Sequence, residues 1–113
     1  MSKPQITYFD TGPLPISFAA TRSQKAFERE MKRLNCKFEF PEQSSYASTY
    51  TFGTAGGILV VVTLNRRVHK SALASVCAHS AIEAMHDLAD ASEETWAYIT
   101  QWATQCLYEE FKR

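Results

Sequence analysis

Long apolar runs, an excess of either charge sign and paired cysteines are all missing from this 113-residue chain. The longest apolar stretch, residues 56–64, falls far short of the roughly 20 residues that span a bilayer. The opening MSKPQITYFD has no apolar core of signal-peptide length, so a cytoplasmic chain without a membrane segment is expected. Twelve basic residues balance twelve acidic ones, which leaves no global field to recruit nucleic acid or an anionic membrane. Cys36, Cys77 and Cys106 make an odd set with no CxxC spacing. That pattern fits reduced thiols filling core positions better than a disulfide framework. Repeats and low-complexity linkers are also lacking, so residues 1–113 are expected to form one domain. With 45% hydrophobic and 21% charged residues, the composition is that of a globular protein and not of a disordered one.

What is present alternates between strand and helix signals. Residues 5–10 place Ile6 and Tyr8 among polar neighbours and suit a short strand, which the glycine and prolines of residues 11–15 break. Residues 16–19 suit a second extended piece. Thr21 and Gln24 have capping-box spacing, and a helix to about Leu34 would set Phe27, Met31 and Leu34 on one face. Residues 44–52 alternate, with Tyr46, Ser48, Tyr50 and Phe52 on one side of a strand. GTAGG follows as a turn without the lysine and hydroxyl of a P-loop, and ILVVVTL is the strongest strand signal. Helical periodicity then holds from Lys70, broken near residues 90–94 where Ser92 can cap a last helix. Trp96, Ile99, Trp102, Ala103, Cys106 and Phe111 form that helix's apolar stripe. The expected fold class is α+β, a small antiparallel sheet of hairpin plus N-terminal strands packed with three helices.

The stretch 70–90 carries the chemistry-bearing residues. Leu73, Cys77, Ala81, Ala84, Met85 and Leu88 cover one side of it. His79, Glu83, His86 and Asp90 fall within roughly 60° on another. His79 and Glu83 are one turn apart, and imidazole with carboxylate suits zinc, iron or manganese. The competing reading is the wet face of an amphipathic helix, which needs no function. A Cys77–His79 dyad is unattractive, because residues two apart on a helix diverge by about 200°. His69 precedes the helix within the basic loop Asn65-Arg66-Arg67-Val68-His69-Lys70, which suits a solvated surface or contact with phosphate or an acidic protein.

The order of an aromatic strand, a Pro-rich bend, KAFEREMKRL, ILVVVTL, AHSAIEAMHDL and EETWAYITQW resembles a family of small phage and prophage proteins with a zincin-like HExxH helix. The resemblance spans nearly the whole chain and implies a minimal zincin-like architecture in a protein of the bacterial host cytoplasm. It puts His79 at the first histidine position, Ser80 at the catalytic glutamate, Glu83 at the second histidine and Glu94, before Ala97-Tyr98, at the third ligand. A register four residues earlier puts Ser75 and His79 at the histidine positions and Val76 at the glutamate. Neither restores the motif.

In a zincin that glutamate takes the proton of the metal-bound water, a task for which a serine hydroxyl is far too weak a base. Ordinary HExxH proteolysis is therefore not expected. Three functions are carried forward. The first is a phage-derived, catalytically degenerate zincin-like protein that binds a host or phage protein, as a host-takeover or anti-defence (anti-CRISPR-type) inhibitor would. The second is a hydrolase using zinc or another divalent metal on His79, Glu83 and Glu94. The third is a virion structural or assembly component, a homodimer through its aromatic last helix.

Overall fold

A computed structural model describes residues 6–10, 15–40, 45–54, 57–86 and 92–112. Along the chain run β1 (Thr7–Asp10), β2 (Ile16–Thr21), α1 (Gln24–Arg33), β3 (Ala47–Thr54), β4 (Gly57–Leu64), α2 (Lys70–Met85) and α3 (Glu93–Phe111). The four strands form one sheet in the order β1-β2-β4-β3, so the fold class is α+β. β1 with β2 and β3 with β4 are antiparallel, as expected for hairpins. The central pair, β2 with β4, is parallel, which makes the sheet mixed. A parallel pair needs a long crossover, and α1 with the returning β3 supplies it.

β4 dictates the layering. Its β-branched run is apolar at successive positions, the signature of a strand covered on both faces. Val60, Val62 and Leu64 join Ile16, Phe18 and Ala20 beneath α2 and α3. Leu59 and Val61 join Ala19 on the opposite face, beneath Phe27 and Met31 of α1. On the first side Leu73, Cys77, Ala81, Ala84 and Met85 of α2 meet Ile99, Ala103, Leu107 and Phe111 of α3. The α3 stripe is thus an i, i+4 series that includes Leu107, with Trp96, Trp102 and Cys106 half-buried beside it. Trp102 sets its edge against Phe9 and Phe18 at centroid distances of 5.6 and 5.7 Å.

The helix ends explain two differences from expectation. Thr21 is spent in the β2–β4 ladder, so Ser23 caps α1 instead, its Oγ accepting from the Ala26 amide at 3.1 Å. At the other end Asn35 takes φ 57°, and the Cys36 amide reaches the Met31 carbonyl at 2.9 Å. This Schellman closure uses Asn where glycine is commonest. Ser92 caps α3 as the sequence suggests. All three cysteines are free thiols; Cys77 is buried, which pushes its thiol up to about 11, and Cys36 and Cys106 are half-buried. Among the described residues no helix is long and apolar enough to cross a membrane.

A polar clamp ties the short edge strand β1 to α1. Glu30, only 3% exposed, accepts Arg33 Nε at 2.6 Å and Nη2 at 2.9 Å, and also the Tyr8 hydroxyl at 2.7 Å. The Arg33 bonds first, and the Tyr8 bond after them, hold the Glu30 carboxyl below its ordinary value against the opposing effect of burial. Burial, reinforced by Glu30, pushes the Tyr8 hydroxyl up to about 12. A depressed carboxylate stabilises the fold above its unfolded pKa, and that contribution fades as pH falls through the folded value. The Tyr8 contribution, in contrast, is intact below about 10 and fades as pH rises toward 12. Glu30→Gln should therefore cost about 1–3 kcal/mol at neutral pH and flatten the acid limb of the stability profile, read by urea denaturation across a pH series.

Gly57 opens β4 at φ 133°, where a Cβ would overlap the Pro15 carbonyl that accepts the Ile58 amide. Gly57→Ala should destabilise the protein by more than about 1 kcal/mol, visible as a lowered thermal midpoint.

Candidate docking edge

The residues expected to gather around a metal are placed apart from one another's purpose. Helix α2 turns Leu73, Cys77, Ser80, Ala81, Ala84 and Met85 inward, which leaves His79 and Glu83 exposed on its outer side. Ser80 is buried in the packed side. Glu94 lies exposed in the first turn of α3, His86 is the exposed C-cap of α2, and Asp90 lies outside the described residues. Among the described residues no three His, Cys, Asp or Glu side chains are grouped to hold a metal ion. His79, Glu83 and Glu94, the ligand set the resemblance implies, are each exposed. The i, i+4 spacing does put His79 and Glu83 on one face, but burying the alanine-rich side of α2 points that face to solvent and not across to Glu94. His69 has a local task, capping α2 as its Nδ1 accepts the Ser71 amide at 3.2 Å.

His79 does border a depression. A groove of about 460 Å³ runs between α2 and the start of β3, lined by Tyr46, Ala47, Ala72, Val76 and His79 among others. Asn65, 4% exposed, tethers Ser45 and Tyr46 of its wall. Asn65 Oδ1 accepts the Thr63 hydroxyl at 2.6 Å, its Nδ2 donates to Ser45 and Ser48, and its amide donates to the Tyr46 carbonyl at 2.8 Å. The Arg66 guanidinium lies 4.7 Å from the Tyr46 ring centroid. Nothing local in the sequence separates Asn65 from the basic residues that follow it; its role rests on Ser45 and Ser48, which only the fold brings near.

Ala47, on the groove's wall, begins β3, the last strand of the sheet. Because the Asn65 amide bonds the Tyr46 carbonyl, and Ala47 registers with Leu64, the hydrogen-bonded pairs with β4 fall on Ser48, Tyr50, Phe52 and Thr54. The backbone amides and carbonyls of Ala47, Thr49, Thr51 and Gly53 therefore point away from β4. Among the described residues no strand receives them. Such edges are ordinarily blunted by charge, proline, bulges or brevity. β3 is eight residues long, reads ASTYTFGT and has no charge and no proline. On its α1 side the Phe38 ring, 53% exposed, lies tilted 5.4 Å from Tyr50 and edge-on 6.0 Å from Phe52. On its α2 side the Thr49 hydroxyl is shut off from water with no hydrogen-bond partner.

A second depression, about 350 Å³, lies between β1 and the end of α1 with Tyr8, Asp10, Ser17 and Arg33 on its wall. Its polar groups include the Tyr8–Glu30–Arg33 clamp, whose donors and acceptors already satisfy one another.

Compared with protein-family models, curated proteins and solved structures, the chain finds no match.

Since His79, Glu83 and Glu94 are solvated and not convergent, replacing each by alanine should shift stability by no more than about 0.5 kcal/mol. The same three variants should respond to added zinc as the parent does, measured by denaturant titration with the metal and with a chelator.

Proposed function

We propose that this chain acts by binding another protein, capturing an extended segment of its target as an added strand along β3. The observation that carries the reading is the eight-residue uncharged edge, whose outward amides and carbonyls alternate along Ala47, Thr49, Thr51 and Gly53. In strand addition the main-chain hydrogen bonds supply affinity, and pockets for alternate side chains supply selectivity. Both are to hand. Side chains on one face of the incoming strand would meet Phe38, Tyr50 and Phe52, and those on the other would reach the groove bordered by Tyr46 and His79.

The absence of charge on β3 favours a target segment that is itself apolar or neutral. A degenerate zincin-like ancestry, with the target in the host cell of a phage, is the biological setting this reading adopts. Buried Ser80 and the outward placement of His79 and Glu83 fit a chain that binds without catalysing. Inhibition of a host defence factor by occupying one of its strand-pairing segments is then the proposed action.

The test uses a random-peptide display library selected on the intact protein. Recovered peptides should be extended and neutral, and they should slow hydrogen exchange at the Ala47, Thr49, Thr51 and Gly53 amides. Thr51→Pro removes an outward donor without breaking the β3–β4 ladder and should weaken binding at least about tenfold, or 1.4 kcal/mol. Gly53→Lys, at a position where a side chain meets open space, should do the same by placing charge on the edge. Binding that survives both variants in folded protein would sink the proposal.

A further inference from the structure

We infer that the resting occupant of the β3 edge is the β3 of a second copy of this chain, paired antiparallel about a two-fold axis at Tyr50. The inference rests on the reading of β3 as the binding edge and names what covers it before a target arrives. An isologous two-fold contact requires a surface to be complementary to itself. β3 meets that requirement residue by residue.

With Tyr50 opposite Tyr50 of the second copy, Thr49 faces Thr51 and Ala47 faces Gly53, so the outward backbone groups of all four find partners in hydrogen-bonded pairs. Like sizes then oppose like sizes on the α2 side. Thr–Thr is a favourable cross-strand pair because the hydroxyls can bond to each other. On the opposite side the two Tyr50 rings would meet at the axis, flanked by the half-exposed Phe38 of each copy, and so remove the aromatic surface from water.

Charge offers no obstacle. The chain's formal net charge is zero and β3 has no ionisable group other than Tyr50, so two copies approach without the self-repulsion that keeps proteins apart. The last helix is the dimer surface expected from sequence. Its Ile99, Ala103, Leu107 and Phe111 stripe is already buried in the chain's own core.

A β3-paired dimer would hide the edge until a target strand displaces one copy. Target affinity should then fall as protein concentration rises.

Sedimentation velocity from ~1 µM to ~500 µM should show the mass rising from the 12.8 kDa chain toward twice that value, and Thr51→Pro should hold it at one chain. The register is read by disulfide trapping in a Cys36→Ser, Cys106→Ser background. Tyr50→Cys should cross-link to itself and Thr49→Cys should not, because only position 50 faces its own copy. Should Tyr50→Cys fail to fold, the unmodified protein still decides the matter: Thr49 and Thr51 amides must exchange more slowly at the high concentration. A monomer throughout, exchange unchanged with concentration, or preferential trapping at position 49 overturns the inference. A monomer that still binds selected peptides through β3 overturns the dimer alone. A dimer with the stated register that binds no peptide supports the dimer and removes the capture reading.

Discussion

Burial of β4 on both faces is the constraint from which the rest of the molecule follows. From Leu59 to Leu64 no residue is more than 7% exposed, and side chains of a strand alternate in direction. Both faces must therefore be covered. The short chain meets the demand with α1 on one side and the α2–α3 pair on the other. Covering two faces spends nearly every apolar helix position, including the full stripe of α3. Open to contact with other molecules are Ile82 and Tyr98 on the helices and the perimeter of the sheet.

The two perimeters are treated differently. β1 is four residues long, ends in Asp10 and is fastened to α1 through Tyr8, Glu30 and Arg33. β3 is twice that length and neutral, with the Asn65 network at its start. A protein that needed both edges protected has charge, brevity and side-chain clamps available, and here they are concentrated on one edge. This asymmetry is the main reason for reading β3 as a working surface.

The local elements were legible in the sequence because their causes are local. The period-two pattern of residues 46–52 and the β-branched run after GTAGG specify a hairpin, and Ser92 specifies the start of α3. Cys77 belongs to the core by periodicity and is found there. The partner of β2 was not legible, since nothing in ISFAAT says whether it lies beside its neighbour in sequence or beside β4. The same non-local fact moved the α1 cap from Thr21 to Ser23, because only pairing with β4 draws Thr21 into a strand. The direction in which His79 and Glu83 point was not legible for a related reason. Helical spacing tells which residues share a face of α2, and the direction of that face depends on packing against α3 and the sheet.

The parallel β2–β4 pair also orders events in time. Ile16 and Ile58 are partners although roughly 40 residues separate them, whereas the β3–β4 hairpin and the α2–α3 pair close over short loops. Closing long loops is the slow part of folding, so the hairpin is expected to exist before β2 docks against it. During that interval β4 is an open edge as well as β3, and it is far more apolar. A nascent chain that has emitted the hairpin but not yet seated β2 is therefore at its most vulnerable to pairing with the wrong strand. Gly57, whose bare α-carbon lets the Pro15 carbonyl reach the Ile58 amide, stands at the end of β4 where that seating begins.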